Sequence, residues 1–192
     1  MNTVKLRRIL IVLGLPAVVL FSAPRVAVSP GIQTVQNFEG QAAPRLENGV
    51  RIGPAVPGPA EMNGKVVLIF FWSHWCSDCK AQAPILGRLL EKYHSEGLIV
   101  FGPTRLYGYV ADGRPAAPNK ELPYIAQVRD TYYPFLRKAP TPVSEANHKK
   151  YGVEAVPTLV LLDRNNIVRL YRTGTIPEAE LETALRRLLS QE

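Results

Sequence analysis

Cys76 and Cys79 are the residues of this 192-residue chain whose type and spacing most directly suggest chemistry, and they are its only cysteines. A pair three positions apart can cycle between dithiol and disulfide, contribute to a metal site, or form a structural crosslink. A structural zinc site needs four ligands, and the three histidines, His74, His94 and His148, are scattered along the chain. A structural disulfide would close too small a loop to restrict the unfolded chain appreciably. Redox cycling is therefore the leading interpretation, and a copper site that adds His74 or His148 to the cysteines stays open.

The elements predicted around the cysteines place them at the start of a helix. The apolar run KVVLIFFW, residues 65–72, predicts a strand that is buried on both faces. A turn over residues 73–79 leads into a helix that extends to about His94, with apolar residues at three- and four-residue spacing. Free N–H groups and the positive end of the helix dipole favour the thiolate of Cys76 there. We therefore expect Cys76 to be the exposed, attacking thiol and Cys79 to be the more buried, resolving thiol.

Strands and helices alternate along the rest of the chain. Apolar and β-branched runs predict five further strands, at residues 50–52, 97–102, 141–144, 158–163 and 167–172. Asn119 is the predicted N-cap of a helix that extends to about Arg137, and a short helix is predicted to end at Gly152. The last helix has Thr175 and Glu178 at capping-box spacing. This order predicts an α/β fold with a mixed central β-sheet that is flanked by helices on both faces.

The N-terminal residues predict export. Residues 1–23 have a short basic region followed by an apolar run from Ile9 to Phe21, which is the layout of a secretory signal. The run is short for a spanning helix, but the cleavage site is poor, so a signal peptide and an N-terminal membrane anchor both stay open. Residues 24–48 predict a tether, and residues 49–192 the folded domain. We expect a periplasmic or otherwise extracytoplasmic domain, with anchoring in the inner membrane as an alternative to release.

The formal net charge of +7 does not predict nucleic-acid binding. Four basic residues, Lys5, Arg7, Arg8 and Arg25, lie in the first 29 residues, which contain no acidic residue. The remaining chain carries a net charge of +3, without a basic helix or an aromatic and basic stripe. We therefore expect no nucleic-acid partner.

The segment WCSDCKAQAP resembles the active-site motif of the thioredoxin superfamily, which is Trp-Cys-x-x-Cys followed five residues later by Pro. Here these residues are Trp75, Cys76, Cys79 and Pro84. The resemblance covers about residues 64–190 and is closest to the exported TlpA-like, ResA-like and DsbE-like reductases. The features that favour this subgroup are the N-terminal segment, the GKVV lead-in and a helix-bearing insertion over residues 103–150.

A second segment, YGVEAVPTLVLLD, resembles the part of the family that carries a cis-proline, which here is Pro157 preceded by Val156. The resemblance implies a thioredoxin-like fold in which Cys76 and Cys79 are the catalytic couple. It also implies that Trp75, Val156 and Pro157 bind the substrate, because a cis bond would aim the Val156 backbone at a substrate strand. No cofactor beyond the redox-active disulfide and no metal is implied.

The function implied by the resemblance is reduction of protein disulfides outside the cytoplasm, such as in cytochrome c or copper-site assembly. Substrate proteins with disulfides or thiols and a membrane electron donor are the expected partners, with membrane attachment through the N-terminal segment. Two alternatives stay open. One is a dithiol oxidase that forms disulfides, and the other is a copper-binding assembly chaperone that uses the cysteine pair.

Two departures from the family pattern concern carboxylates. Many thioredoxins have a buried Asp where this chain has Phe70, and many TlpA-like reductases have a Glu where it has Gln82. Asp78, between the cysteines, is then the nearest carboxylate and a candidate proton relay, with a role at the helix start as the alternative. His74 is interpreted either as a group that stabilises the thiolate or as an exposed loop residue.

The loop TRLYGY, residues 104–109, lies in the insertion near the expected active-site edge. Its residues Arg105, Tyr107 and Tyr109 are of the types that favour protein interfaces. Packing of the loop on its own domain is the alternative interpretation.

Overall fold

The computed structural model describes residues 38–191 of the chain. The predictions for residues 1–23 and for residues 24–37 of the tether therefore lie outside the described residues. Between residues 38 and 191, no helix combines the length and the apolar character that crossing a bilayer requires.

Six strands and five helices form the described domain. The strands are β1 (Val50–Ile52), β2 (Val66–Phe71), β3 (Leu98–Phe101), β4 (Thr141–Val143), β5 (Thr158–Leu162) and β6 (Val168–Thr173). The helices are α1 (Pro59–Met62), α2 (Ser77–Tyr93), α3 (Pro118–Tyr132), α4 (Glu145–Lys150) and α5 (Glu178–Leu189). Short 3-10 turns cover His94–Glu96, Ala111–Gly113 and Pro134–Leu136.

The central sheet has four strands in the order β3-β2-β5-β6. Strands β2 and β3 are parallel, whereas β5 is antiparallel to both β2 and β6, so the sheet is mixed as predicted. Every residue of β2 is buried, which explains why its sequence is apolar throughout instead of alternating.

Alternate residues of β2 face two separate hydrophobic cores. Phe70 and its neighbours on one face pack with buried residues of α2 and α5, such as Leu86 and Leu185. Phe71 and its neighbours on the other face pack with Tyr151, which follows α4, and the Phe71 ring meets the ring of His148 in α4 edge-on. Helices therefore cover both faces of the sheet, as the order of elements predicted.

Residues 38–48, which the sequence predicts as part of a tether, pack onto the second core. Phe38 and Leu46 are buried there, and the Tyr151 hydroxyl donates a hydrogen bond to the Pro44 carbonyl at 2.7 Å. Single apolar residues in a Pro- and Gly-rich segment give no periodic signal, so this packing is not visible in the sequence. The folded domain extends at least to residue 38.

Strand β4 does not join the central sheet. It pairs antiparallel with β1 in a sheet of two strands, and a bridge between Thr104 and Val143 joins its other side to the segment that follows β3. Pro142 occupies the middle of β4 and has no N–H to donate, so this strand makes fewer backbone hydrogen bonds than its length would allow.

Two predicted helix starts are wrong. Helix α3 begins at Pro118 with Ala117 as its N-cap instead of Asn119, and it ends at Tyr132 instead of Arg137. Helix α5 begins at Glu178 with Pro177 as its N-cap, and no side chain caps it, so the capping box predicted from Thr175 does not form. A proline with a fixed φ stands at the start of each helix, as the first residue of α3 and as the N-cap of α5, and no side chain caps either helix.

Candidate active site

Cys76 lies where the buried strand β2 passes into α2. It is the N-cap of α2, and its Sγ accepts a hydrogen bond from the Cys79 N–H at 3.0 Å. The two cysteines form a disulfide, with their Cα atoms 5.3 Å apart. The loop before the pair is held by Trp72, whose indole N–H donates to the Gly102 carbonyl at 2.9 Å. A fixed loop and a helix start therefore position the sulfur atoms.

The two cysteines differ in burial less than the sequence suggests. Cys79 is fully buried and Cys76 is 4% exposed, so Cys79 is the more buried of the two, as predicted. The prediction that Cys76 is exposed is wrong for the disulfide form. The reason is the segment before β5, because the Val156 carbonyl oxygen lies 3.5 Å from the Cys76 Sγ. The attacking and resolving roles stay predictions.

The residues predicted to bind substrate surround Cys76. The peptide bond between Val156 and Pro157 is cis, and Pro157 accepts a hydrogen bond from the Gly174 N–H at 2.8 Å. Trp75 is 48% exposed and is one of the few large apolar side chains on the described surface. The structure thus brings Trp75, Cys76 and the segment at Val156 together at one surface.

Asp78 is exposed in the first turn of α2, whereas Cys79 is fully buried. A carboxylate at this place is favourable because it faces the positive end of the helix dipole. The structure therefore favours the helix-start interpretation of Asp78, and its relay role stays a prediction.

Gln82 and Phe70 have structural roles in place of the carboxylates that the family pattern leads one to expect. The buried Gln82 side chain accepts a hydrogen bond from the Ile176 N–H at 2.7 Å and donates one to the Ile176 carbonyl at 3.2 Å. This pair of bonds joins α2 to the segment before α5. Phe70 is buried against the rings of Tyr133 and Phe135. Beneath the cysteines, position 70 thus holds an apolar side chain and position 82 a neutral polar one, so neither position supplies a carboxylate.

His74 is buried, so its interpretation as an exposed loop residue is wrong. Its Nε2 lies 3.4 Å from Oε1 of Glu121, which is also buried. The Glu121 carboxylate additionally accepts hydrogen bonds from the N–H groups of Tyr107 and Gly108, at 2.6 Å and 2.9 Å. Burial lowers the pKa of His74, and the Glu121 carboxylate offsets part of that effect. Glu121 therefore joins the first turn of α3, the 104–109 loop and the residues before Cys76.

Three tyrosines of the insertion pack around the His74 ring. Tyr107, Tyr109 and Tyr124 each meet the His74 ring edge-on, with ring centroids 5.2–5.5 Å apart. Tyr107 also meets the Trp75 ring edge-on at 5.5 Å. Packing on the domain therefore accounts for Tyr107 and Tyr109, although Tyr107 also reaches the surface beside Trp75.

His148, which the sequence analysis considered only as a candidate copper ligand, is a buried residue near the active site. Its Nδ1 lies 3.2 Å from the Ser144 carbonyl oxygen, and its ring meets Phe71 edge-on. Because a carbonyl only accepts, Nδ1 carries the proton. Burial is the main cause that lowers the pKa of His148 to about 4, and the positive charge of Arg105 acts in the same direction.

This depressed pKa predicts a loss of stability in acid. The unfolded chain binds a proton at this histidine near pH 6.5, whereas the folded chain does so only near pH 4, so the free energy of unfolding falls as the pH is lowered through this window. We expect His148→Gln to make the fall smaller by up to about 3 kcal/mol in urea titrations between pH 7 and pH 4. The exposed His94, changed to Gln, is the matched control and should leave the slope unchanged. Equal slopes for both variants would contradict the assignment.

The comparisons with known proteins agree with this geometry. Residues 59–189 match the family model described as a thioredoxin-like domain. Thioredoxin-like protein YneN of Bacillus subtilis is 24% identical over 147 residues, which cover 77% of this chain and 78% of YneN. The thiol-disulfide oxidoreductase ResA of Geobacillus thermodenitrificans is 23% identical over 128 residues, or 67% of this chain and 66% of ResA.

Among solved structures, a thiol-disulfide isomerase from Corynebacterium glutamicum matches with a TM-score of 0.60 and 23% identity, covering 78% of this chain and 98% of that one. At this level of identity the match supports the fold. The fold and the disulfide at the start of α2 define a thiol–disulfide oxidoreductase with a CxxC couple, as predicted. The chain belongs to the thioredoxin-like domain family, whose model covers more than half of it.

Proposed function

We propose that the protein reduces disulfide bonds in other proteins. The observation that carries this proposal is the position of the Cys76 Sγ at the start of α2, 3.5 Å from the Val156 carbonyl and beside the exposed Trp75. Backbone groups beside a nucleophile suit an extended substrate segment, which binds by strand addition through main-chain hydrogen bonds. Trp75 supplies an apolar surface for the same segment.

The reaction proceeds in two exchanges. The Cys76 thiolate attacks one sulfur of the substrate disulfide, which forms a mixed disulfide and releases the other substrate sulfur as a thiolate that takes up a proton. The Cys79 thiolate then attacks the Cys76 sulfur, which restores the Cys76–Cys79 disulfide and releases the second substrate thiol. Two electrons pass from the protein to the substrate. No cofactor beyond the cysteine pair takes part in this proposal.

The charges beside the cysteines support reduction as the direction. A pair becomes oxidising when its thiolate form is strongly stabilised. Here the Cys79 N–H stabilises the Cys76 thiolate, but the carboxylate of Asp78 opposes a negative charge on the neighbouring cysteines. The two residues between the cysteines are Ser77 and Asp78, so no histidine is there to stabilise the thiolate. The dithiol oxidase with the same geometry is the competing proposal.

An extracytoplasmic location is part of the proposal. It is supported by the apolar run from Ile9 to Phe21 and by the likeness to ResA. In that location a membrane electron donor would regenerate the dithiol, and cytochrome c or copper-site assembly would supply the substrate proteins. Nothing in the residues of the site selects between these substrates.

The reduction potential tests the direction. We expect equilibration of the purified protein with glutathione and dithiothreitol redox buffers, read by thiol alkylation and mass, to give a potential below about −200 mV. A value near about −120 mV would indicate an oxidant and would overturn the proposal. Anaerobic titration with Cu(I) is the companion measurement. Tight binding by a protein that reduces no disulfide would favour the copper chaperone instead.

A further inference from the structure

Trp75 is the exposed part of the proposed substrate surface, so the contacts that hold its indole bear on substrate binding. It lies directly before Cys76, where a substrate segment would approach the reacting sulfur. A side chain that is ordered before binding contributes more to affinity, because ordering a mobile side chain on binding costs free energy. The neighbours of Trp75 therefore influence how well the protein binds a protein substrate.

Tyr107 packs against Trp75 from the side of the insertion. The two rings meet edge-on, with their centroids 5.5 Å apart. The Tyr107 ring also meets the His74 ring edge-on, and the Arg105 guanidinium lies over it, 5.1 Å from its centroid. Because the Tyr107 ring is packed on several sides, its position follows that of the loop that carries it.

Trp75 is also held through the backbone, because His74 directly precedes it. The His74 side chain is buried, and its Nε2 lies 3.4 Å from the Glu121 Oε1. A buried ring that is packed against other side chains keeps one orientation. The backbone that leads into Trp75 is therefore fixed by the contacts of His74.

A single carboxylate connects these two sets of contacts. The Glu121 Oε1 that faces His74 also accepts a hydrogen bond from the Tyr107 N–H at 2.6 Å. The second carboxylate oxygen accepts a hydrogen bond from the Gly108 N–H at 2.9 Å. Glu121 thus contacts the residue that precedes Trp75 and also the residue whose ring packs against the indole.

We propose that Glu121 is a positioning residue for protein substrates, because it holds the Trp75 indole at the place where a substrate segment contacts it. Glu121 acts through His74 and Tyr107 and does not touch the substrate itself, since it is buried. This inference rests on the proposed function, because it concerns the substrate surface of the same site. The insertion then contributes to substrate binding through the position that it gives to Trp75.

The reacting sulfur is held by other contacts. Cys76 is the N-cap of α2, and its Sγ accepts a hydrogen bond from the Cys79 N–H. The loop before it is held by the hydrogen bond from the Trp72 indole to the Gly102 carbonyl. Neither of these hydrogen bonds includes Glu121. A change at Glu121 should therefore affect the binding of a protein substrate more than the attack on a small disulfide.

Glu121→Gln is the first test variant. The amide has nearly the size of the carboxylate, but an NH₂ group replaces one of the two acceptor oxygens. The N–H groups of Tyr107 and Gly108 then cannot both keep their acceptor. Tyr107→Leu is the second test variant. It removes the ring beside Trp75 and keeps the backbone hydrogen bond to Glu121, so it tests the inference even if Glu121→Gln does not fold.

Val168→Ala is the matched control for a loss of stability. Val168 is fully buried in the second core and pairs with Leu162. The active site lies at the other end of the sheet, where Phe71 pairs with Thr158. Loss of the Val168 methyl groups should therefore destabilise the domain without moving Trp75.

Two substrates separate binding from chemistry on the reduced, full-length protein. Insulin is a protein substrate, and 2-hydroxyethyl disulfide is a small substrate without a surface for Trp75 to contact. The protein is mixed with an excess of either substrate, quenched with acid and alkylated, and its mass gives the fraction oxidised. The dependence of the rate on insulin concentration gives the half-saturating concentration and the maximal rate separately.

We expect Glu121→Gln to raise the half-saturating insulin concentration about fivefold. The maximal rate and the rate with 2-hydroxyethyl disulfide should change by less than about twofold. Tyr107→Leu should show the same pattern, whereas Val168→Ala should behave like the wild type. In a Trp75→Ala background, Glu121→Gln should cause no further change, because the indole through which it acts is absent.

The position of the indole is measured by ¹⁹F NMR of protein labelled with 5-fluorotryptophan. The chain has two tryptophans, the fully buried Trp72 and the exposed Trp75, so Trp75→Ala assigns both lines. Glu121→Gln should shift or broaden the Trp75 line, whereas Val168→Ala should leave it unchanged. If Glu121 only stabilised the fold, the Trp75 line of the folded variant would match that of the control.

An unchanged Trp75 line, or insulin binding like that of Val168→Ala in both test variants, would overturn the inference and leave the proposed function intact. Equal losses with insulin and with 2-hydroxyethyl disulfide would also overturn it, because the effect would then lie at Cys76. Additive losses in the Trp75→Ala background would contradict it as well. If the wild type reduced neither substrate, the proposed function itself would be wrong, and the inference with it.

Discussion

Cys79→Ser is expected to stop catalytic turnover while the first chemical step continues. The Cys76 sulfur stays at the start of α2, with the N–H of residue 79 beside it, and so can still attack a substrate disulfide. The mixed disulfide then depends on an external thiol, because the high effective concentration of the neighbouring thiol is lost. We expect multiple-turnover reduction of insulin to fall by at least about a thousandfold. A mixed disulfide should accumulate, which non-reducing electrophoresis and intact mass would detect.

The reciprocal variant assigns the roles. Cys76→Ser should lose both turnover and trapping, because Cys79 is fully buried and cannot reach a protein substrate. Ser77→Ala is the matched control, since Ser77 is exposed between the cysteines, and it should keep wild-type turnover. Trapping by Cys76→Ser but not by Cys79→Ser would mean that the two roles are reversed.

Glu121→Ala is expected to destabilise the domain strongly. The variant leaves the N–H groups of Tyr107 and Gly108 without their acceptor and leaves buried His74 without its carboxylate partner. A buried N–H group left without its acceptor typically costs about 1–3 kcal/mol, so the two backbone groups together cost about 3–5 kcal/mol. We therefore expect the free energy of unfolding in urea to fall by that amount and Tm to fall by about 10 °C.

Glu91→Ala is the matched control for this measurement, because Glu91 is exposed on α2. It should change the free energy of unfolding by less than about 0.5 kcal/mol. His74→Leu should cost less than Glu121→Ala, since it leaves the two backbone hydrogen bonds to Glu121 in place. A cost below about 1 kcal/mol for Glu121→Ala would show that the carboxylate does not hold the loop.

The sequence predicted the strands and helices whose hydrophobic pattern extends over many consecutive residues. Strand β2 is apolar throughout and α2 has a regular apolar spacing, so both were predicted with nearly correct bounds. The place of β4 was not predictable in this way, because a strand of three residues is defined by the segments with which it pairs, which are far away in the sequence. The starts of α3 and α5 were missed because proline backbones define them, and no capping side chain does so.

The residues of the candidate site were also predictable from the sequence only in part. The two cysteines and Pro157 lie in short motifs, so the sequence could place them near one another through the family resemblance. The contact between His74 and Glu121 joins residues far apart in the chain, and a glutamate in the first turn of a helix is normally read as an exposed residue that faces the dipole. Only the fold reveals that this carboxylate is buried and bonded to the loop.

The contact that Glu121 makes with His74 and with the backbone of the 104–109 loop has a consequence for protein engineering. A chimera that received residues 103–132 of this chain, but no histidine at position 74, would bury the Glu121 carboxylate with one partner fewer. Such a graft would lose stability before any change in partner choice could be measured. The insertion and residue 74 therefore form one transferable unit, although they are separate in the sequence.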